Sequence, residues 1–305
     1  MSGPQQSGIL PVDKGGGVTS FQVVAHLRRL LRVPKVGHGG TLDPDATGVL
    51  PILVGEATKL MPYLADLDKE YLATVRLGVV TDTQDVSGTV LATREVPDLP
   101  PAAIVRVLDR FVGDIEQVPP MYSALHHEGK RLYEIARQGG EVERRPRRVR
   151  IHAITLQSQA GPELTVRVRC GTGTYVRTLA ADVGEALGCG AALSRLIRTR
   201  VGPFALGQAV PWAEVRDCRD GAALWARLSP PDAALGAVPA VRLDASQTRA
   251  FLHGQSVPIT AEGDGIVRVY GHDAAFLGVG VRRGGAVKPE RLVYADPARP
   301  RVLPA

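Results

Sequence analysis

Residues 37–48 read GHGGTLDPDATG, and the rest of the chain is best read outward from them. Four glycines in twelve residues permit unusual backbone angles and close approach of another chain. Pro44 pushes Asp43 out of the helical region, so its carboxylate is presented from an extended or turn conformation. A second carboxylate, Asp45, stands two residues on. A bare Asp-Pro-Asp triplet is in most proteins a plain turn in which the first aspartate caps its own backbone. Here the surroundings are richer: Gly48 and Gly55 bracket the apolar run VLPILV, and GEATK follows. The segment is too irregular for a helix or a strand, which makes Asp43 a candidate for chemistry.

On the N-terminal side, residues 1–8 are small and polar and are expected to be disordered. GILPVDKGGGVTS then reads as a short strand and a glycine-rich turn. Thr19 and Gln22 have the spacing of a capping box, and Phe21, Val24, Leu27 and Leu31 follow at helical spacing. On the C-terminal side, residues 56–67 read as a helix. Tyr71, Ala73, Val75, Leu77 and Val79 share one face of a strand with Thr74 and Arg76 on the other, and 101–111 is a helix opened by prolines. Leu164, Val166, Val168 and Cys170 mark another strand. Val176, Leu179, Ala180, Val183 and Leu187 form the stripe of a helix that Gly188 closes. After about residue 235 short β-like runs alternate with Gly, Pro and Asp.

The 305 residues, 44% of them hydrophobic, are enough for a large domain and a small one. A net charge of +6 suits a polyanionic partner but does not by itself identify one. Cys170, Cys189 and Cys218 are odd in number and far apart, which speaks against both a disulfide framework and a zinc site. There is no phosphate-binding or dinucleotide-binding glycine motif and no H-E-x-x-H, so neither a cofactor nor a metal has a basis in the sequence. No apolar run is long enough to span a bilayer, and the first residues do not resemble a secretory signal, which points to a cytoplasmic protein.

Residues 37–59, GHGGTLDPDATGVLPILVGEATK, resemble the signature of the TruB family, the pseudouridine synthases that modify the T-loop of transfer RNA. Further matches fall in family order: VDKGGGVTS, DKEY at 68–71, IEQVPPMYSALHHEGKRLYEIARQG at 115–139, and GTGTYVRTLAADVGEALGCGAALSRLIRTRVGPF at 171–204. They span roughly residues 8–210. One departure is visible: Gly15 follows Lys14 where the family usually has proline.

The resemblance implies a cofactor-free isomerisation of uridine to pseudouridine at position 55 of tRNA, entered by flipping the base out of its loop. It makes Asp43 the catalytic carboxylate, as nucleophile or as base, and Arg177 the cation that pairs with it, orients it and favours its charged form. It makes Tyr71 the ring that stacks on the target base, and Tyr175, Leu196 and His38 further substrate-binding residues. Without it, Arg177 reads as a surface arginine on an amphipathic helix, and Leu196 as core. It implies an α+β fold. Residues 1–235 would form a catalytic domain around a mixed, largely antiparallel sheet, with an RNA-gripping insertion at about 115–150. Residues 236–305 would form a small β-rich PUA-like RNA-binding domain. The Asp43 loop, the Tyr71 strand and the Arg177 helix are expected to converge. Arg144, Arg145, Arg147, Arg148 and Arg150, and Arg195, Arg198 and Arg200, are candidate phosphate contacts. The expected partner is the tRNA T-arm stem-loop, with no membrane, no obligate protein partner and a monomeric chain. The competing readings are an RNA-binding, tRNA-folding protein and a guide-RNA-dependent pseudouridine synthase.

Overall fold

A computed structural model of the chain describes residues 7–123, 125–127, 129–260 and 262–293. Most of the N-terminal stretch expected to be disordered lies outside the described residues; Gly8 already opens a strand. The chain divides into two compact units, one from residues 1–44, 48–65 and 201–305, the other from 45–47 and 66–200.

In the first unit β1 (Gly8–Lys14) pairs antiparallel with β3 (Thr47–Val54), from Gly8 opposite Val54 to Lys14 opposite Gly48. The other edge of β3 carries β2 (Val36–His38). The unbroken apolar run of β3 is what a strand covered on both faces requires, and it is buried from Gly48 to Val54. Helix α1 (Ser20–Leu30) starts on the expected capping box: Gln22 N donates to Thr19 Oγ1 at 3.1 Å, and Thr19 N donates to Gln22 Oε1 at 2.7 Å. Its buried stripe is Val23, Val24 and Leu27, continued by Leu31 beyond the helix. Phe21 is 68% exposed, because the buried face of the helix runs through Val23, Val24 and Leu27 and leaves Phe21 off it. The expected helix at 56–67 is a 3-10 turn (Gly55–Leu60) that runs into the short α2 (Met61–Ala65).

The second unit carries β4 (Lys69–Leu77), β5 (Val79–Thr81), β6 (Val90–Thr93), α3 (Pro101–Asp109), β7 (Gly113–Gln117), β8 (His126–His127), β9 (Lys130–Arg131), α4 (Leu132–Arg137), β10 (Arg147–Ala160), β11 (Glu163–Cys170), α5 (Val176–Ala186) and β12 (Ala191–Val201). Its sheet runs β12-β4-β11-β10-β7, and the β4/β11, β11/β10 and β10/β7 pairs are antiparallel. The alternating run from Tyr71 does not extend to Val79 as one strand. Gly78 adopts φ +80°, and a Cβ there would meet Arg94 O at 2.8 Å, so β4 ends at Leu77 and Val79 opens β5. The buried face of β4 and β11 packs beneath α5. Ala73, Val75, Val166 and Val168 meet Val176, Leu179, Ala180 and Val183, the stripe that the helical period picks out.

Returning to the first unit, the chain forms β13 (Phe204–Ala205), β14 (Val210–Pro211), α6 (Trp212–Asp217), α7 (Ala222–Trp225), β15 (Ala240–Arg242), α8 (Ala245–Leu252), β16 (Val257–Pro258), β17 (Gly265–Tyr270), β18 (Phe276–Arg283) and β19 (Ala286–Leu292). β14 lies parallel to β1. The last five strands make a separate sheet, β15-β17-β18-β19-β16, with its own core around Phe251, Val267, Val269 and Leu277. Lys59 Nζ donates to Leu292 O at 2.5 Å, and the Tyr63 hydroxyl donates to Glu290 at 3.0 Å, fastening the α2 segment to β19. Burial and then the Glu290 carboxylate push Tyr63 up to about 12. The fold is α+β with a mixed, largely antiparallel sheet and a small β-rich C-terminal part.

Candidate active site

Between His38 and Thr47 the chain belongs to no strand or helix, yet it is held by named side chains. Lys14, at the end of β1, has a fully buried side chain. Its ammonium donates to Gly15 O at 2.9 Å, Val18 O at 2.8 Å and Pro44 O at 2.8 Å. Three carbonyls for three donors make a buried cation tolerable. Gly17, at φ +74°, sends its N–H to the same Pro44 carbonyl at 3.0 Å. Ser20, the first residue of α1, lies against Leu42. Its Oγ accepts from Leu42 N at 2.9 Å and donates to Leu42 O at 3.0 Å. Asp43, between these two anchored neighbours, is exposed, as is Asp45. His38 ends β2 opposite Ile52, so part of the glycine-rich run is regular after all, and its Nδ1 accepts from Gly40 N at 3.4 Å. Gly39 is required by close approach: a Cβ there would meet the Leu64 side chain at 2.9 Å.

In the second unit Tyr71 lies on the buried face of β4, two residues along from Lys69. Arg198, on β12, is 1% exposed, and its guanidinium hydrogen-bonds to the Tyr71 hydroxyl. Lys69 is buried opposite Cys170; burial first, then the nearby Arg198 charge, pushes it down to about 8. Tyr175 is the N-cap of α5, where no side chain of its own caps the helix. The buried Gln117, at the end of β7, grips that residue instead. It accepts from Tyr175 N at 3.1 Å and donates to Tyr175 O at 3.3 Å. Arg177, in the first turn of α5, is buried rather than a surface residue. Its guanidinium donates to Thr83 O at 3.2 Å and Tyr122 O at 2.7 Å. Leu196 is half-buried on β12.

Of the six residues expected at a site, the first unit holds His38 and Asp43 and the second Tyr71, Tyr175, Arg177 and Leu196. Ser20, Lys69, Gln117 and Arg198 were not among them. Lys69 had a signal, a cation in phase with the buried alternation of Tyr71, Ala73 and Val75; Arg198 had none, because Leu196 is half-buried and Arg200 exposed. Ser20 and Gln117 had none, since their partners are backbone atoms remote in sequence.

The arginine clusters separate. Arg198 is buried on Tyr71 and is corrected from a phosphate contact to an internal one, while Arg195 and Arg200 are exposed. Arg150 lies 3.8 Å from Asp114, Arg148 sits opposite Glu116 across the β10/β7 pair, and Arg144 bonds to Pro119 O and Glu141. Arg145 and Arg147 are exposed. Among the described residues no cluster of His, Cys, Asp and Glu has the arrangement of a metal site.

Three family descriptions match successive parts of the chain: "TruB family pseudouridylate synthase (N terminal domain)" over residues 28–176, "tRNA pseudouridylate synthase B C-terminal domain" over 177–236, and "Pseudouridine synthase II TruB, C-terminal" over 239–293. The chain is 51% identical over 298 residues to a tRNA pseudouridine synthase B of Burkholderia pseudomallei, covering 94% of this chain and 96% of that protein. It is 47% identical over 290 residues to one of Chromohalobacter salexigens, covering 94% of each. Among solved structures, a chain of a Cbf5-Nop10-Gar1 complex aligns with a TM-score of 0.73 and 28% identity, over 94% of this chain and 85% of that one.

Proposed function

The chain belongs to the TruB family of pseudouridylate synthases, and from that premise we propose that it isomerises uridine to pseudouridine at position 55 in the T-loop of tRNA. The observation that carries this reading is Asp43, an exposed carboxylate on a loop whose residues on both sides are anchored through their backbones.

The reaction breaks the N-glycosidic bond, turns the uracil and joins it to the ribose through carbon. Nothing is oxidised, reduced or passed to another molecule, so no cofactor is needed. The uridine is first extruded from its loop. Asp43 then acts in its ionised form, as nucleophile or as base toward the ribose, with Arg177 orienting it. Tyr71 stacks on the flipped base, a contact worth roughly 1–3 kcal/mol. His38, Tyr175 and Leu196 are further substrate-binding residues in this reading. Three structural facts support these roles: the buried guanidinium of Arg177 held by two carbonyls, the Tyr71 ring tied to Arg198, and the Gln117 grip on Tyr175. Residues 1–235 form the catalytic domain in this reading, with the 115–150 segment gripping RNA. Residues 236–305 form the PUA-like RNA-binding domain, which the separate core of the C-terminal sheet supports. The protein works as a cytoplasmic monomer on the T-arm, with no protein partner.

The test is product formation. Purified chain and an unmodified tRNA transcript give one carbodiimide-trappable pseudouridine in the T-loop, and Asp43→Asn lowers the rate by about 1000-fold or more. Absence of product from the wild type overturns the activity; an active Asp43→Asn enzyme overturns the role of Asp43. The likeness to a chain of a Cbf5-Nop10-Gar1 complex motivates a second reading, in which a guide RNA presents the substrate. Product from a bare transcript with no other component excludes it. A pure RNA-folding role requires that Asp43→Asn keep the biological effect.

A further inference from the structure

We propose that Ser20 is a positioning residue for Asp43: its buried hydroxyl holds Leu42 by both backbone groups and so fixes where the Asp43 carboxylate leaves the loop. The proposal rests on the reading of Asp43 as the reacting carboxylate.

Residues 39–46 lie outside every strand and helix, so no regular ladder sets the path of this backbone. A serine hydroxyl can donate and accept at once, and Ser20 does both, to the N–H of Leu42 at 2.9 Å and to its carbonyl at 3.0 Å. Ser20 is 3% exposed and Leu42 4%, so water has little opportunity to replace either bond. The hydroxyl also sits on a rigid mount. It projects from the first residue of α1, immediately after Thr19, whose capping box fixes the start of that helix. Thr19 caps the helix by itself, so the Ser20 hydroxyl is not spent on α1; its two bonds go to a residue twenty-two positions away. On the far side of Asp43, the Pro44 ring restricts φ, and the Pro44 carbonyl takes Lys14 Nζ and Gly17 N. Asp43 is thus an exposed side chain between two fixed backbone points. Loss of the Leu42 anchor frees one of them, and a displacement of about 1 Å at a reacting group can cost about 100-fold in rate.

The experiment compares single-turnover rate, tRNA affinity and thermal midpoint for Ser20→Ala, Ser20→Cys and Asp43→Asn, well below the midpoint of each. Ser20→Cys is nearly isosteric and keeps the packing while weakening both hydrogen bonds, so it carries the test should Ser20→Ala fail to fold. The expected result is a rate per folded molecule lowered about 10- to 100-fold, with the Kd for tRNA within about 2-fold of wild type. A serine that merely satisfies buried backbone would change the midpoint and leave the rate per folded molecule unchanged, and that outcome overturns the proposal. A loss of rate matched by an equal loss of affinity overturns it as well, since the residue would then serve binding. Fully active Ser20 variants beside an inactive Asp43→Asn defeat the Ser20 assignment alone, whereas an active Asp43→Asn defeats the reading on which it rests.

Discussion

At the scale of single residues, Arg198 shows how burial reassigns a charge. Its neighbours Arg195 and Arg200 are exposed, and by composition all three are equal candidates for RNA phosphates. Only the fold turns Arg198 inward onto the Tyr71 hydroxyl, on a buried face that also holds Lys69. Two buried cations near one tyrosine cost desolvation and mutual repulsion, which is why Lys69 falls to about 8. Two measurements distinguish an internal role for Arg198 from a phosphate contact. Arg198→Met should leave the slope of log Kd against log salt for tRNA unchanged, where each lost phosphate contact lowers its magnitude by about 1. It should also slow product formation, and the same substitution made in a Tyr71→Phe background should cost less, because the hydroxyl it acts through is already gone. Additive losses, or a flattened salt slope, contradict the pairing.

At the scale of elements, what sets the boundaries is the backbone rather than hydrophobic period. The alternation of β4 is legible from Tyr71 onward, but its start at Lys69 is not, and its end at Leu77 comes from the positive φ of Gly78. The segment after β3 is held by polar contacts of the same remote kind. Glu56, 3% exposed, lies 3.3 Å from Lys35 Nζ and 2.8 Å from Lys59 Nζ, and Lys59 also reaches Leu292 O on β19. A buried carboxylate with two cations is costly to strip of one side, although both lysines are partly exposed and screened. Glu56→Ala is therefore expected to lower stability by about 1–3 kcal/mol, read as a lower urea midpoint with unchanged slope. An unchanged midpoint would show that the two lysines are satisfied by water instead.

At the scale of the whole molecule, burial sorts the three free thiols. Cys170 is 1% exposed, and burial pushes it up to about 11; Cys189 is fully buried and raised for the same reason. Cys218 is partly exposed, with its thiol donating to Asp220 O. The thiolate is the reactive form, so at pH 8 a thiol reagent should label about one cysteine per native chain and all three after denaturation. Labelling of Cys170 and Cys189 should follow the unfolding of the chain, because neither side chain is accessible in the native fold. Rapid reaction of all three native thiols at pH 8 contradicts this burial. Among the described residues no helix is long and apolar enough to cross a membrane.

The sequence by itself determined what depends on short-range pattern. The Thr19 cap, the strand alternation from Tyr71, the apolar stripe of α5 and the β-rich texture after residue 235 all follow from period, capping and turn chemistry acting over a few residues. The candidates Asp43, Arg177, Tyr71, His38, Tyr175 and Leu196 were legible because their motifs stand in family order. Tertiary structure alone decided which polar groups meet: Ser20 with Leu42, Lys14 with Pro44, Gln117 with Tyr175, Arg198 with Tyr71. A buried donor or acceptor must find a partner, and outside helices and sheets that partner is chosen by the path of the chain in space.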